Sequence, residues 1–446
     1  MPPLTTRSPR RRQAAVAAML TVITFTASCS SDTSPPTSDS TATASSATST
    51  QSGDSALVPF DTAAMDAVVD ETAQELREIG MVVLIETPDG KYTNSWGATE
   101  LGGTETPTLD TSIRIGSNTK TWTGTAILQM VQEGKLSVDD PVSKYRPDVP
   151  NGENITIGQM LDMRSGLYNY TETVELNQAL DDNPARVWTP EELVALGLSN
   201  PAYFPPGEGW HYSNTNTVLL GLIAEKLDGK PIDQIFQDRF FSKLNMNGTS
   251  FPANTDTAIP VPFARGYSYN GNIETLGEGK DSLSPERLAE IESGSVSPRD
   301  TTGDNPSWTW SAGQGISTVN DLATWVQAMV KGDLLDEKTQ KLRMDSVAST
   351  DPESPKAANY GYGIAQMGPL FGHTGELPGY NSFMGYDPVN DVTMVIWGNL
   401  APTAEGKAPA ARLAEKLIGY VYATTGGNDN ENTADDIGEV GETEGN

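Results

Sequence analysis

The stretch "RIGSNTKTWTG", Arg114–Gly124, sets Ser117 three residues before Lys120. It follows an extended segment, "SIRIG", and leads into a helical run. At a helix N-terminus the unpaired N–H groups and the helix dipole favour negative charge, and residues three apart share a face. A serine hydroxyl is a weak nucleophile without a base. A lysine is protonated at neutral pH unless burial or neighbouring positive charge depresses its pKa. An isolated Ser-x-x-Lys is ordinarily a solvated pair on a helix surface. Here no other lysine has a serine three residues before it. The rest of the chain decides between a nucleophile with its base and two surface residues.

The chain has 446 residues and a formal net charge of −30. That length can bury a large core. The acidic balance argues against nucleic acid as a partner, because phosphates need basic patches. A single cysteine, Cys29, excludes an intrachain disulfide. With only His211 and His373 available, a zinc hydrolase is poorly served, and neither a metal nor a cofactor is expected. The α/β-hydrolase reading fails for want of a Gly-x-Ser-x-Gly elbow anywhere in the chain.

Residues 1–28 read as a signal peptide: Arg7, Arg10, Arg11 and Arg12 precede the apolar run Ala14–Thr26, which is too short to span a bilayer. "TASC", Thr26–Cys29, resembles a bacterial lipobox, with Thr26 where leucine is usual. Cys29 is therefore the expected lipidation site, and an exported lipoprotein on the outer face of the cytoplasmic membrane is the expected location. Residues 29–57 form a Ser/Thr-rich linker with nothing to bury, and the folded domain is expected over 58–423. From Thr424 the chain is rich in Gly, Asn and acids without a basic residue, and 424–446 reads as a disordered acidic tail.

Within the domain, Ala64, Val68, Val69, Ala73 and Leu76 recur near helical spacing, with Gly80 as a candidate stop. "MVVLIETPDGKYTNSWG" reads as a strand hairpin around Pro88-Asp89-Gly90. Helices are expected over Ile127–Leu136, Thr217–Ile232 and Thr318–Gly332, two strands over Tyr380–Asn399, and a last helix near Ala408–Tyr422. This order predicts an α+β fold: one antiparallel sheet built from both chain ends, flanked by helices, with a helical insert.

Two further segments bear on Ser117. "GWHYSNTN" supplies Tyr212-Ser213-Asn214, and "LFGHTGELPG" supplies His373-Thr374-Gly375. Tyr92-Thr93-Asn94 is a second Tyr-x-Asn. In order and separation, Ser117-x-x-Lys120, Tyr212-x-Asn214 and His373-Thr374-Gly375 resemble the three motifs of the serine β-lactamase and penicillin-binding-protein superfamily, in its D-alanyl-D-alanine carboxypeptidase and class C branch. "ITIGQMLDMRSGL", "FFSKLNMNGTSF", "SAGQGISTVNDLATW" and "YGYGI" are similar to family stretches in the same order. The resemblance covers roughly 61–422 and is thinnest over 272–310.

The resemblance implies a β-lactamase/transpeptidase-like fold and a role for each motif residue. Ser117 is the acylated nucleophile. Lys120 activates it or holds the proton network. Tyr212 is a phenolate or proton relay if nearby cations lower its pKa. Asn214 orients Lys120 and the substrate amide. His373, where many relatives carry lysine, supplies a cation that steadies a Tyr212 phenolate and attracts a substrate carboxylate. Thr374 and Gly375 line the substrate, and the backbone N–H groups of Ser117 and Glu376 form the oxyanion hole. His211, Trp308 and Trp310 read as structural. The expected function is a cell-envelope serine hydrolase, D-Ala-D-Ala carboxypeptidase-like or β-lactam-hydrolysing, meeting a small-molecule or peptidoglycan-peptide substrate. An esterase of the same family and a non-catalytic penicillin-fold binding protein are the alternatives. No arginine falls between Arg343 and Arg412, leaving Lys356 and Lys407 as candidate cations for a terminal carboxylate.

Overall fold

The computed structural model describes residues 57–423 except 275, 277–282, 355–356 and 405. The expected signal peptide, Cys29, nearly all of the linker, Lys356 and the acidic tail lie outside the described residues. The chain opens with helix α1 (Thr62–Glu75) and the hairpin β1 (Gly80–Thr87) and β2 (Gly90–Gly97). Helices α2 (Thr119–Gln132), α3 (Asn214–Asp228) and α4 (Val319–Lys331) dominate the middle. Strands β3 (Ala348–Ser349), β4 (Asn359–Gly361), β5 (Ile364–Met367), β6 (Leu370–Leu377), β7 (Tyr380–Asp387) and β8 (Val392–Gly398) follow, and α5 (Pro409–Ile418) comes last.

The eight strands form one antiparallel sheet in the order β2-β1-β8-β7-β6-β5-β4-β3. The N-terminal hairpin thus joins the C-terminal strands through β1 and β8, with Val83 opposite Ile396. The central strands β1, β7 and β8 are buried without alternation because both faces are covered. Met81, Val83 and Ile85 belong to the core under α1 and α5, with Met65, Val69 and Leu413. Val82 and Leu84 point the other way, into the larger core built by α2, α3 and α4.

Two boundaries differ from expectation, each for a physical reason. Gly80 opens β1 rather than ending α1; the left-handed residue after the helix is Arg77, at φ 55°. A β-carbon on Gly80 would fall 2.3 Å from the Ala98 carbonyl oxygen, so the close pairing of the hairpin explains the glycine. The helical run expected after Ser117 and the helix expected over Ile127–Leu136 are one helix, which begins at Thr119. Every residue from Thr119 to Met130 is buried, so the helix has no polar face to give a period. Its threonines satisfy themselves on backbone carbonyls: Thr121 donates to Asn118, Thr123 to Ser311 and Thr125 to Thr121.

Candidate active site

Ser117 lies in a single 3₁₀ turn, Gly116–Asn118, immediately before α2. The turn is pressed onto β6. Gly116 adopts φ +53°, and a β-carbon there would meet the Glu376 backbone nitrogen at 2.5 Å. From the other side, a β-carbon on Gly375 would meet the Ile115 carbonyl oxygen at 1.9 Å. Asn118 locks the contact, donating from Nδ2 to Ser382 Oγ at 2.7 Å and to the Ile115 carbonyl at 3.2 Å. Two residues without side chains therefore let the nucleophile turn and the Glu376 peptide lie side by side.

Lys120, one helical turn on, is 1% exposed. Its Nζ lies 2.8 Å from Ser117 Oγ, 2.6 Å from Asn214 Oδ1 and 2.9 Å from the Ala312 carbonyl oxygen. Burial drives its pKa well below the usual lysine value. A neutral amine has two N–H donors and one lone pair. Asn214 Oδ1 and the Ala312 carbonyl only accept, so they take both donors. The lone pair is then left for the hydroxyl proton of Ser117, the arrangement a general base requires.

Tyr212 is 9% exposed, and the Lys120 Nζ stands 4.7 Å from its ring centroid. Burial raises its pKa above the ordinary phenol value, and a hydrogen bond with Ser117 only partly opposes this. The resting side chain is a neutral phenol, not the phenolate the resemblance suggested, because burial disfavours the charged form. Asn214 opens α3, with its backbone N–H and Nδ2 both directed at Asn169 Oδ1.

His373 corrects a second expectation. Its ring is 1% exposed and 6.2 Å from that of Tyr212. Nδ1 lies 2.6 Å from the Thr374 carbonyl oxygen and Nε2 lies 3.0 Å from Tyr360 Oη. The carbonyl can only accept, so Nδ1 carries the proton, and Nε2 accepts from the Tyr360 hydroxyl. Burial, reinforced by the nearness of Lys120, pushes the imidazole pKa down to about 3. His373 is therefore a neutral ring that braces β6 and supplies no cation. Thr374 is half-buried and Glu376 exposed on β6, with Glu376 Oε2 accepting from Asn381 Nδ2 at 2.9 Å.

The second Tyr-x-Asn is separate from this cluster. Tyr92 Oη and Asn94 Nδ2 both donate to Asp66 Oδ1, at 2.8 and 2.7 Å, and tie β2 to α1. Trp310 is a core residue at 4% exposure, and the Trp308 carbonyl accepts from Tyr170 Oη at 2.8 Å. Arg114, unnoticed in sequence, is buried three residues before Ser117 and is turned onto the carbonyls of Thr257 and Thr302 at 2.8 and 3.3 Å. The Ala312 carbonyl was also out of reach of sequence reasoning, although "SAGQG" marked its neighbourhood.

Residues 65–417 match the family model described as Beta-lactamase. The chain belongs to the β-lactamase family. This family of serine hydrolases, with its penicillin-binding relatives, matches the mixed fold and large antiparallel sheet described above. Penicillin-binding protein 4* of Bacillus subtilis is 26% identical over 360 residues, 76% of this chain and 72% of that protein. A second Bacillus subtilis protein named as a penicillin-binding protein, PbpX, is 26% identical over 296 residues. That match takes in 66% of this chain and 64% of PbpX, a little under two thirds of the relative's length. Among solved structures, a D-stereospecific amidohydrolase from Streptomyces sp. superposes with a TM-score of 0.67 at 28% identity, covering 82% of this chain and all of that one (100%).

Proposed function

We propose that this β-lactamase-family chain is an acyl-enzyme serine hydrolase for D-configured amide substrates, D-Ala-D-Ala carboxypeptidase-like or β-lactam-hydrolysing. One observation carries the reading: the buried Lys120 amine lies 2.8 Å from Ser117 Oγ with its other two contacts on obligate acceptors. In this mechanism Ser117 Oγ attacks the substrate carbonyl while its proton passes to Lys120 Nζ. The C–N bond then breaks, and the proton is returned to the leaving nitrogen by Lys120 or through the Tyr212 hydroxyl. Water, deprotonated by the same groups, hydrolyses the ester on Ser117. The backbone N–H groups of Ser117 and Glu376 would hold the oxyanion, each donor worth about 3 kcal/mol in comparable sites. The preference for a D-configured substrate is supported by the likeness to the D-stereospecific amidohydrolase of Streptomyces sp..

A second reading within the same chemistry has its own support. His373 is neutral and supplies no charge to a free carboxylate, and Arg114 Nη2 is engaged by backbone carbonyls, leaving only Nη1 of that group, buried, without a partner among the described residues. That favours a neutral amide or ester over a C-terminal peptide. Intact-mass analysis of residues 58–423 with a penicillin, an acyl-D-Ala-D-Ala peptide, a D-amino acid amide and a p-nitrophenyl ester separates these substrates. No mass gain on Ser117 with any of them would leave a non-catalytic binding protein.

We also propose that Cys29 carries a lipid anchor that holds the domain at the outer membrane face, where peptidoglycan is the nearby peptide substrate. Stable anchoring takes two acyl chains or an equivalent second signal. Cys29→Ala should move the protein from the membrane to the soluble fraction; a wild type that is already soluble, with a mature N-terminus elsewhere, sinks the idea.

A further inference from the structure

An amide side chain has the same outline either way round, so only its partners decide which end is oxygen. At Lys120 this matters: the neutral amine offers its lone pair to Ser117 only if Asn214 presents oxygen to it. The structure fixes that choice from a distance. Glu172, a carboxylate that can only accept, takes a hydrogen bond at Oε1 from Asn169 Nδ2 at 2.9 Å. Asn169 turns Oδ1 the other way, where it accepts from the backbone N–H groups of Asn214 and Thr171 at 3.0 and 3.4 Å and from Asn214 Nδ2 at 3.3 Å. Thr171 Oγ1 takes a further bond from Asn214 Nδ2 at 3.2 Å. Asn214 is left with Oδ1 facing Lys120 at 2.6 Å.

The anchor of this chain is itself held. His211 Nε2 lies 3.0 Å from Glu172 Oε1, and Tyr203 Oη donates to Glu172 Oε2. The Asn169 backbone N–H donates to Tyr203 Oη at 3.1 Å, closing the loop. Tyr203 is packed between His211 and Tyr168, with ring centroids 3.8 and 4.9 Å away. Burial raises the Glu172 pKa, but hydrogen bonds from His211, Tyr203 and Asn169 outweigh it and hold the carboxyl below its usual range. It is ionised at neutral pH and cannot donate.

We propose that Glu172 is a positioning residue: through Asn169 and Asn214 it aims the Lys120 lone pair at Ser117. His211 and Tyr203, which lie outside the three motifs, serve as its supports. The titratable groups facing Lys120 are Tyr212 and His373, and those facing Glu172 are His211, Tyr203 and Tyr168.

The test follows Lys120 directly, by NMR titration of protein carrying ¹³C-labelled lysine, beside penicillin acylation rates against pH. In Glu172→Ala the Asn169 amide loses its anchor at Nδ2 and is held only by the N–H groups of Thr171 and Asn214, so the Asn214 oxygen is held less firmly against the amine. The ammonium form then has a weaker acceptor, so Lys120 should titrate about one pH unit lower. The acylation plateau should fall ~100-fold as the base is misaimed. Glu172→Gln can present its carbonyl oxygen to both Asn169 and His211, and should stay within a few-fold of wild type with Lys120 titrating as before. Unchanged titration in Glu172→Ala overturns the proposal. So does a Glu172→Gln displaced as far as Glu172→Ala, which would mean that charge alone acts. If Glu172→Ala fails to fold by circular dichroism, Asn169→Ala is read in the same way. The rate measurement rests on the acyl-enzyme reading; if the wild type is not acylated, that reading fails, while the titration still decides on Glu172.

Discussion

Gly375 and Ile115 touch backbone to backbone, so closely that a β-carbon at 375 would stand 1.9 Å from the Ile115 carbonyl oxygen. This contact fixes the separation between the nucleophile turn and the strand whose Glu376 peptide faces it. Gly375→Ala is expected to push the turn off β6 and lower acylation by ~100-fold, with loss of thermal stability. Gly134→Ala is the control. Gly134 has φ +71° with nothing within 4 Å, so alanine there should cost about 1 kcal/mol of backbone strain and leave acylation intact. Equal acylation rates in the two variants would remove the contact from the account.

Ser117→Ala should abolish covalent labelling by penicillin without unfolding the protein, as read by intact mass and circular dichroism. Lys120→Ala should slow acylation by ~1,000-fold or more, the scale of losing a general base. Labelling that persists on another serine would end the proposed mechanism.

Tyr212→Phe and Tyr92→Phe make a matched pair, because both tyrosines begin a Tyr-x-Asn. The first should lower turnover by ~100-fold. The second removes a bond to Asp66 and should cost about 1 kcal/mol of stability with turnover unchanged. A turnover loss in Tyr92→Phe would show that the two sites are not separate.

The pH dependence of acylation should rise through the depressed pKa of Lys120, because the amine must lose its proton to act. His373 should contribute no limb between pH 5 and 9, since its pKa is about 3. Its titration shows instead in stability. Between the unfolded value near 6.5 and the folded value of about 3, only the unfolded chain binds the proton, so stability is present above that window and lost as pH falls through it. Denaturant unfolding of wild type beside His373→Gln should reveal an extra acid slope of ~1.4 kcal/mol per pH unit in the wild type. A matching slope in both proteins would mean that His373 is already charged in the native state.

Glu78 runs in the opposite sense. Its side chain is buried, and burial raises its pKa well above the usual carboxyl value, opposed only in part by the Leu400 and Asn399 backbone. The unfolded chain loses this proton first, so the group costs stability increasingly as pH rises above about 4.5. Glu78→Gln should raise Tm at pH 8 more than at pH 4.5; a gain that does not depend on pH would refute the assignment.

The motif residues were legible because their chemistry is local in sequence. Ser117-x-x-Lys120 needs one helical turn to bring hydroxyl and amine together, and the three motifs keep their order whatever the loops between them do. The sheet built from both chain ends was legible as well, since runs such as "MVVLIET", closed by the turn Pro88-Asp89-Gly90, read as buried strands. That the helical run after Ser117 continues unbroken into the Ile127 segment was not, because a wholly buried helix shows no period, and its threonines look polar until their carbonyl partners are known.

What sequence alone determined is which groups are present: one serine with a lysine three residues on, a tyrosine, two amides, and glycines at 116 and 375. What the tertiary structure decided is their charge and aim. His373 has the composition of a cation and the surroundings of a neutral ring, because a carbonyl and a tyrosine hydroxyl take both nitrogens where water cannot reach. Lys120 has the composition of a surface charge, yet it is desolvated by a helix buried on every side. Protonation is a balance between hydration and neighbouring groups, and both terms exist only once distant segments such as Asn169, Ala312 and Tyr360 have been brought to the same place.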